Sequence, residues 1–108
     1  MNISFVIGTL TREPEEVLGT PQKLCKLNIA VNENYTKEDG TRPVQFFNVS
    51  CWGVRAENCL KYLTKGSKIG VLGKMQTRSW EDNGVKKYAT EIVANEIEIL
   101  NWLKSKNE

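Results

Sequence analysis

The sequence predicts an all-β domain, a small barrel of five strands with one short helix between the third and the fourth. Three observations carry that expectation. Apolar and polar residues alternate with a period of two over five separate stretches. Two connections contain Asp39-Gly40 and Asn83-Gly84, dipeptides suited to tight hairpin turns. Once only, between Gly53 and Thr64, the spacing of apolar residues becomes helical. At 108 residues the chain is long enough for one modest core and too short for two.

The elements follow in order. Residues 2–10 read as the first strand, and the turn-like TREPEE comes after it. Leu24 to Glu33 makes the second, with Leu27, Ile29 and Val31 on one face and Lys26, Asn28 and Ala30 on the other. The Asp39-Gly40 turn leads into a third strand, Val44 to Trp52. Ala56, Cys59, Leu60 and Leu63 then fall on one face of a three-turn helix, and Gly66 suits its C-terminal stop. A fourth strand runs from Lys68 to Trp80, and a fifth spans about Lys87 to Leu100. Three strands, a helix and two strands is the order of an OB-fold, a five-stranded, partly open Greek-key barrel, though other small barrels share it. Residues 1–100 are expected to form this domain. NWLKSKNE, at 101–108, is expected to be a short end, and Trp102 within it has no assigned role.

Composition excludes several function classes. The formal net charge of +2 is too small to argue for an anionic partner, so any such case rests on where the charges lie. With no histidine there is no Ser-His or Cys-His pair, and no Walker loop or GxGxxG is present. Cys25, Cys51 and Cys59 include no CxxC pair and read as buried, reduced thiols, with no metal and no cofactor expected. The carboxylate pairs Glu15-Glu16 and Glu81-Asp82 lie in turn-like surroundings, where solvated charge is the plain explanation. A nuclease would need a third ligand that neither stretch offers. No enzyme is expected. No long apolar run or signal peptide opens the chain, so a cytoplasmic location is the default, with no membrane partner.

Strand parity supplies the functional signal. In the third strand, Phe47, Val49 and Cys51 suit a core, whereas Phe46, Asn48, Ser50 and Trp52 make a polar face with an aromatic at each end. In the fourth, Ile69, Val71, Met75 and Thr77 share one face. Lys68, Lys74, Gln76, Arg78 and Trp80 share the other, with Leu72 the exception. Gly70 and Gly73 keep this strand bare where a small barrel bends. Between Lys61 and Trp80 there are five basic residues and no acidic one. An aromatic among polar neighbours can equally cover a subunit contact, and a charge run is often only a solvated face. Three aromatics interleaved with cations favour a groove for a single-stranded nucleic acid, whose unpaired bases stack while its phosphates meet the cations. Stacking alone does not distinguish DNA from RNA.

FVIGTLTREPE, the CWG and AENCLKYLTKGS run, and QTRSWEDNGVKKYATEIVANEI together resemble the bacterial single-stranded DNA-binding protein family over about residues 1–100. The resemblance implies sequence-independent binding and protection of single-stranded DNA in replication, recombination or repair. It implies stacking at Tyr35, Phe46, Trp52 and Trp80 and phosphate contacts at Lys65, Lys74 and Arg78. Asn48 and Val54 stand where relatives carry basic residues, which implies weaker and less salt-dependent binding. Phe47 stands where relatives carry a polar ring near a subunit contact. A homo-oligomer, in this family a tetramer, is implied as partner. Because the chain stops at NWLKSKNE without an acidic tip, recruitment of repair enzymes through such a tail is not expected. The alternative is a primosomal accessory protein, a related dimer that bridges a helicase and single-stranded DNA.

Overall fold

The computed structural model describes residues 1–101; the end at 102–108, Trp102 included, lies outside the described residues. Six strands and one helix follow one another as β1 (Ser4–Leu10), β2 (Glu15–Val17), β3 (Leu24–Asn32), β4 (Val44–Trp52), α1 (Val54–Tyr62), β5 (Lys68–Asp82) and β6 (Val85–Ile99). The sheet order is β1-β5-β6-β4-β3-β2, and a further β1–β3 pairing closes the five long strands into a ring. This is the OB-fold barrel that the sequence predicts, with one addition. Glu15 and Glu16, expected in a turn, form the short β2 against Cys25 and Lys26 of β3.

The ring closes thinly in two places. β1 reaches β3 only through Thr9 and Leu10, and β4 reaches β6 only through Val49 and Ser50, in parallel. Closure therefore rests on the core. Leu10, Leu27, Ile29, Val49, Ile69, Val71 and Ile92 point inward and are buried, which fits period-2 alternation on strands with one face inside. Gly8 and Gly73 make the close approaches possible. A Cβ on Gly8 would stand 2.8 Å from the Ala30 carbonyl oxygen, and one on Gly73 would stand 2.2 Å from that of Val93. At Gly70 a Cβ would meet only ordinary contacts, the nearest at 3.4 Å from the Phe5 ring, so its bareness is not required.

The helix is shorter than expected, and its buried side is Ala56 and Cys59, packed against β2, β3 and β4. It ends at an extended Leu63, whose N–H still bonds the Cys59 carbonyl. Gly66 is not its C-terminal stop. That glycine, at φ 93°, belongs to the next turn, where its N–H bonds the Leu10 carbonyl. Cys25, Cys51 and Cys59 are buried, reduced thiols, as their number and spacing suggest. Cys51 and Cys59 sit 3.7 Å apart, and their hydrogen bond together with burial pushes the Cys51 thiol up, so that it stays protonated.

Beyond Gly73 the β5–β6 pair leaves the barrel as a two-stranded arm. The register shifts there, with Leu72 opposite Glu96 but Gly73 opposite Ala94. Asn83 and Gly84, both at positive φ, turn the tip as the sequence predicts. Met75 and Thr77 keep the inward parity of Ile69 and Val71, but the arm has no core beneath it and both are exposed. Glu81 and Asp82 end a strand and are not in a loop, and Asp82 pairs with Lys87 at 3.4 Å.

Candidate nucleic-acid interface

Register places the outward residues of four strands on one continuous face. On β3 and β4, Ala30 stands opposite Phe46, Asn28 opposite Asn48 and Lys26 opposite Ser50. The side chains agree, since Asn28 Nδ2 donates to Asn48 Oδ1 at 3.0 Å and Lys26 Nζ donates to Ser50 Oγ at 2.7 Å. Lys26 also reaches Glu91 Oε2 on β6, again at 2.7 Å. On the arm, Gln76 faces Glu91, Arg78 faces Ala89 and Trp80 faces Lys87. Phe46, Asn48, Trp52, Lys74, Gln76, Arg78 and Trp80 thus share the outer face.

Three of the four predicted stacking residues lie on this face and are open to solvent, with Phe46 63 %, Trp52 38 % and Trp80 43 % exposed. The fourth, Tyr35, stands in the loop between β3 and β4, also exposed. Glu33 and Pro43 close that loop by a backbone hydrogen bond. Gly40 turns its tip, and Asp39 accepts from the Thr41 N–H and hydroxyl. Those bonds from Thr41 hold the Asp39 carboxyl below its usual range.

Arg78 lies with its guanidinium carbon 5.4 Å from the centre of the Trp80 ring. The pairing explains why a cation and a tryptophan two residues apart share a strand face. The cation rests against the ring's negative face, and the two together offer a base a stacking surface beside a positive charge. A groove of about 400 Å³ runs between this arm and the barrel, lined by Arg12, Glu15, Lys26, Asn48, Arg78 and Glu91 among others.

The phosphate-contact residues divide. Lys74 and Arg78 are on the shared face. Lys65 is not; it sits in the turn after the helix, its N–H bonded to Glu13. Lys68, expected beside Lys74, lies at the far end of β5 opposite Thr9 of β1. Phe47 faces inward and is partly buried against the core.

Ser50 departs from its expected place on an open polar face. It is buried beneath the Lys26–Glu91 ion pair, which spans the thin β4–β6 closure. Burial pushes the Glu91 carboxyl up. Hydrogen bonds from Lys26 and Ser50 and the charges of Lys26 and Arg78 outweigh that effect, and Glu91 titrates below its ordinary range. Sequence reading missed Arg12 and Lys26 as groove residues. Arg12 falls in the turn-like stretch, and Lys26 reads as one more polar alternation. Only cross-strand register brings them to Arg78.

Among the described residues, no group of three or more acidic, cysteine or histidine side chains could hold a metal ion, and no helix is long and apolar enough to cross a membrane. The site offers stacking surfaces and cations, the chemistry of binding.

The chain is similar in sequence and in fold to known proteins. The chain is 37% identical over 110 residues to single-stranded DNA-binding protein 2 of Clostridium acetobutylicum, covering 99% of this chain and 82% of that one. The wild-type single-stranded DNA binding protein from Thermus aquaticus superposes with a TM-score of 0.78 at 33% identity, over 94% of this chain and 50% of that one. The present chain therefore spans about half the length of that protein. The Plasmodium falciparum SSB in complex with ssDNA shares the fold, with a TM-score of 0.83 over 94% of this chain and 96% of that one at 24% identity. Residues 1–100 match the model of the single-strand binding protein family, a family of non-enzymatic DNA-binding proteins, and the chain belongs to it.

Proposed function

We propose that this protein binds single-stranded DNA irrespective of sequence and protects it during replication, recombination or repair. The observation that carries the reading is the shared outer face, on which Phe46, Trp52 and Trp80 are exposed beside Lys74 and Arg78. Bases stack on the three rings, and Tyr35 closes over them from its loop. Lys74 and Arg78 neutralise phosphates, with Lys65 contributing from the margin. A duplex hides its base faces, so exposed rings favour a single strand. Each stacked base contributes roughly 1–3 kcal/mol, the range known from alanine substitution in single-strand binders, this family among them. Family membership favours this reading over the primosomal accessory protein. A cytoplasmic location is consistent with it.

The protein acts as a homo-oligomer, a tetramer in keeping with its family. Two features support self-association. Phe5, Ile7, Leu72 and Leu100 line an exposed apolar hollow on the outside of β1, β5 and the end of β6. Beside it, among the described residues, Ser4–Gly8 of β1 pairs with β5 on one edge only. A second copy of the chain satisfies both, covering the apolar side chains and pairing the open edge. Phe47 adds bulk beneath a neighbouring part of the barrel and tunes the stability of that contact.

Titration of tryptophan fluorescence with oligo(dT), at low and high salt, tests the binding reading. Strong quenching with an affinity that falls as salt rises is the expected result. No quenching and no binding would assign the aromatics to a subunit contact. Sedimentation of the free protein tests the assembly, and a monomer at micromolar concentration would overturn it.

A further inference from the structure

The arm has a second face, and it carries an aromatic that the groove does not use. Tyr88 stands opposite Ser79, one rung from the Trp80–Lys87 pair, and therefore points to the other side of the ribbon. The Thr77–Thr90 hydroxyl bond at 3.0 Å, on the same side two rungs further down, marks that face independently. Tyr88 is 65% exposed, more than any of the groove aromatics. Its cross-strand neighbour is a serine, which leaves the ring uncovered. Lys86 Nζ lies 5.8 Å from the ring centre, on the same face, as Arg78 does for Trp80 on the other. Each side of one ribbon thus presents a cation resting on an exposed aromatic ring.

This face is the continuation of the barrel's interior parity, running out from Ile92 past the end of the core. Had it served packing, apolar residues would continue along it. Instead it turns to Thr77, Ser79, Glu81, Lys86, Tyr88 and Thr90. Glu81 stands opposite Lys86, so the local charge is balanced and the face offers stacking more than phosphate neutralisation.

We propose that Tyr88 is a further stacking position for single-stranded DNA, filled when a strand leaving the groove over Trp80 passes round the edge of the arm. The proposal rests on the DNA-binding reading above. Its physical basis is continuity, because Trp80 and Tyr88 occupy neighbouring rungs of a ribbon one layer thick. Side-chain layers on two sides of one sheet lie on the order of 10 Å apart. About three nucleotides bridge that distance, even at the stacked rise of ~3.4 Å each. Short strands fill the groove alone, and longer ones reach both faces of the arm.

The test is a length series of oligo(dT) titrated into the full chain, comparing wild type with Tyr88→Ala and Tyr88→Phe. Tyr88→Ala should leave the affinity for the shortest bound strands unchanged and weaken that for long strands by about 5- to 150-fold, the loss of one stacked base. Tyr88→Phe should restore the long-strand affinity, because it keeps the ring. The salt dependence should not change. Equal affinity of wild type and Tyr88→Ala at every length would overturn the proposal. So would an equal loss at every length, or a fall in assembly mass with DNA affinity intact, which would place Tyr88 at a subunit contact. Failure of the wild type to bind any strand would remove the DNA-binding reading itself, and this proposal with it.

Discussion

The barrel and the arm are built from the same two strands, and they obey different rules. Up to the Met75–Ile92 rung, inward residues of β5 and β6 are buried, as at Ile69, Val71, Ile92 and Ala94. Beyond it, the same alternation continues for seven rungs, from Gln76–Glu91 to Asp82–Val85, with both faces largely in solvent, and the residues become Thr, Ser, Arg, Trp, Lys and Tyr. The difference teaches that alternation specifies a strand, while what fills the inward parity specifies whether a core lies beneath it. Substitutions in the barrel should therefore register as stability. In the arm they should register as binding.

The sharpest way to break that division is at its boundary. Gly73→Ala sets a Cβ 2.2 Å from the Val93 carbonyl oxygen, and the obstacle is backbone, which cannot rotate away. A loss of about 3 kcal/mol or more is expected, in the upper range for an overpacked site. For a domain of this size the melting temperature should fall by at least ~12 °C. A shift of only a few degrees would mean that β6 withdraws from β5 at little cost, and that the arm is not anchored at Gly73.

Trp80→Ala probes the arm alone. Oligo(dT) affinity should fall by about 5- to 150-fold while thermal stability stays within ~0.5 kcal/mol of wild type. Unfolding of the variant would instead give Trp80 a structural role, and the contrast between the regions would dissolve.

Lys26 joins the two regions, since it ties Ser50 of the barrel to Glu91 at the root of the arm. Lys26→Met strands a partly buried carboxylate. It should cost about 1–2 kcal/mol in chemical denaturation, less than the 3–5 of a fully buried pair. Because Glu91 titrates below its ordinary value when folded, the pair's contribution is fully present above the usual carboxylate range near ~4.3. It is lost as pH falls through the lowered value. The wild type should therefore lose this increment in acid, and Lys26→Met should not. Parallel acid profiles for the two proteins would mean that Glu91 keeps its other partners and that Lys26 is dispensable.

How much of this was legible in the sequence follows the reach of each signal. The Asn83-Gly84 turn, the parity of Phe46 and Trp52, and the side of the strand that carries Arg78 and Trp80 are local, and all were readable. Ser50 was misjudged because its burial depends on Lys26 and Glu91, residues 24 and 41 positions away in the chain. Gly66 was misjudged for a related reason, as a strand-end carbonyl at Leu10 claims its N–H. Arg12 follows Thr11, which is tied to Asn28 of β3 by backbone and side-chain hydrogen bonds between residues 17 positions apart, a link that no local pattern announces. Tyr88 was available to the same parity argument that selected Trp80. No excess of cations marks it, because Glu81 and Lys86 on its face balance.

The smallest expected effect compares two cations on one strand. Lys74 stands opposite Val93 at the mouth of the barrel, whereas Arg78 stands on the arm, where its charge already acts on Glu91. Loss of one full phosphate contact should reduce the slope of log affinity against log salt by about 0.7 for a single strand. Lys74→Gln should show that full reduction, and its loss of affinity should fade at high salt. Arg78→Gln should show less, because part of its charge is balanced before DNA arrives. It should also retain a loss at high salt, because the guanidinium rests on the Trp80 ring and shapes the surface on which a base stacks. Equal slopes with both losses abolished by salt would reduce Arg78 to a simple charge. In that case the Arg78–Trp80 pairing, although present in the free protein, contributes nothing to the stacked complex.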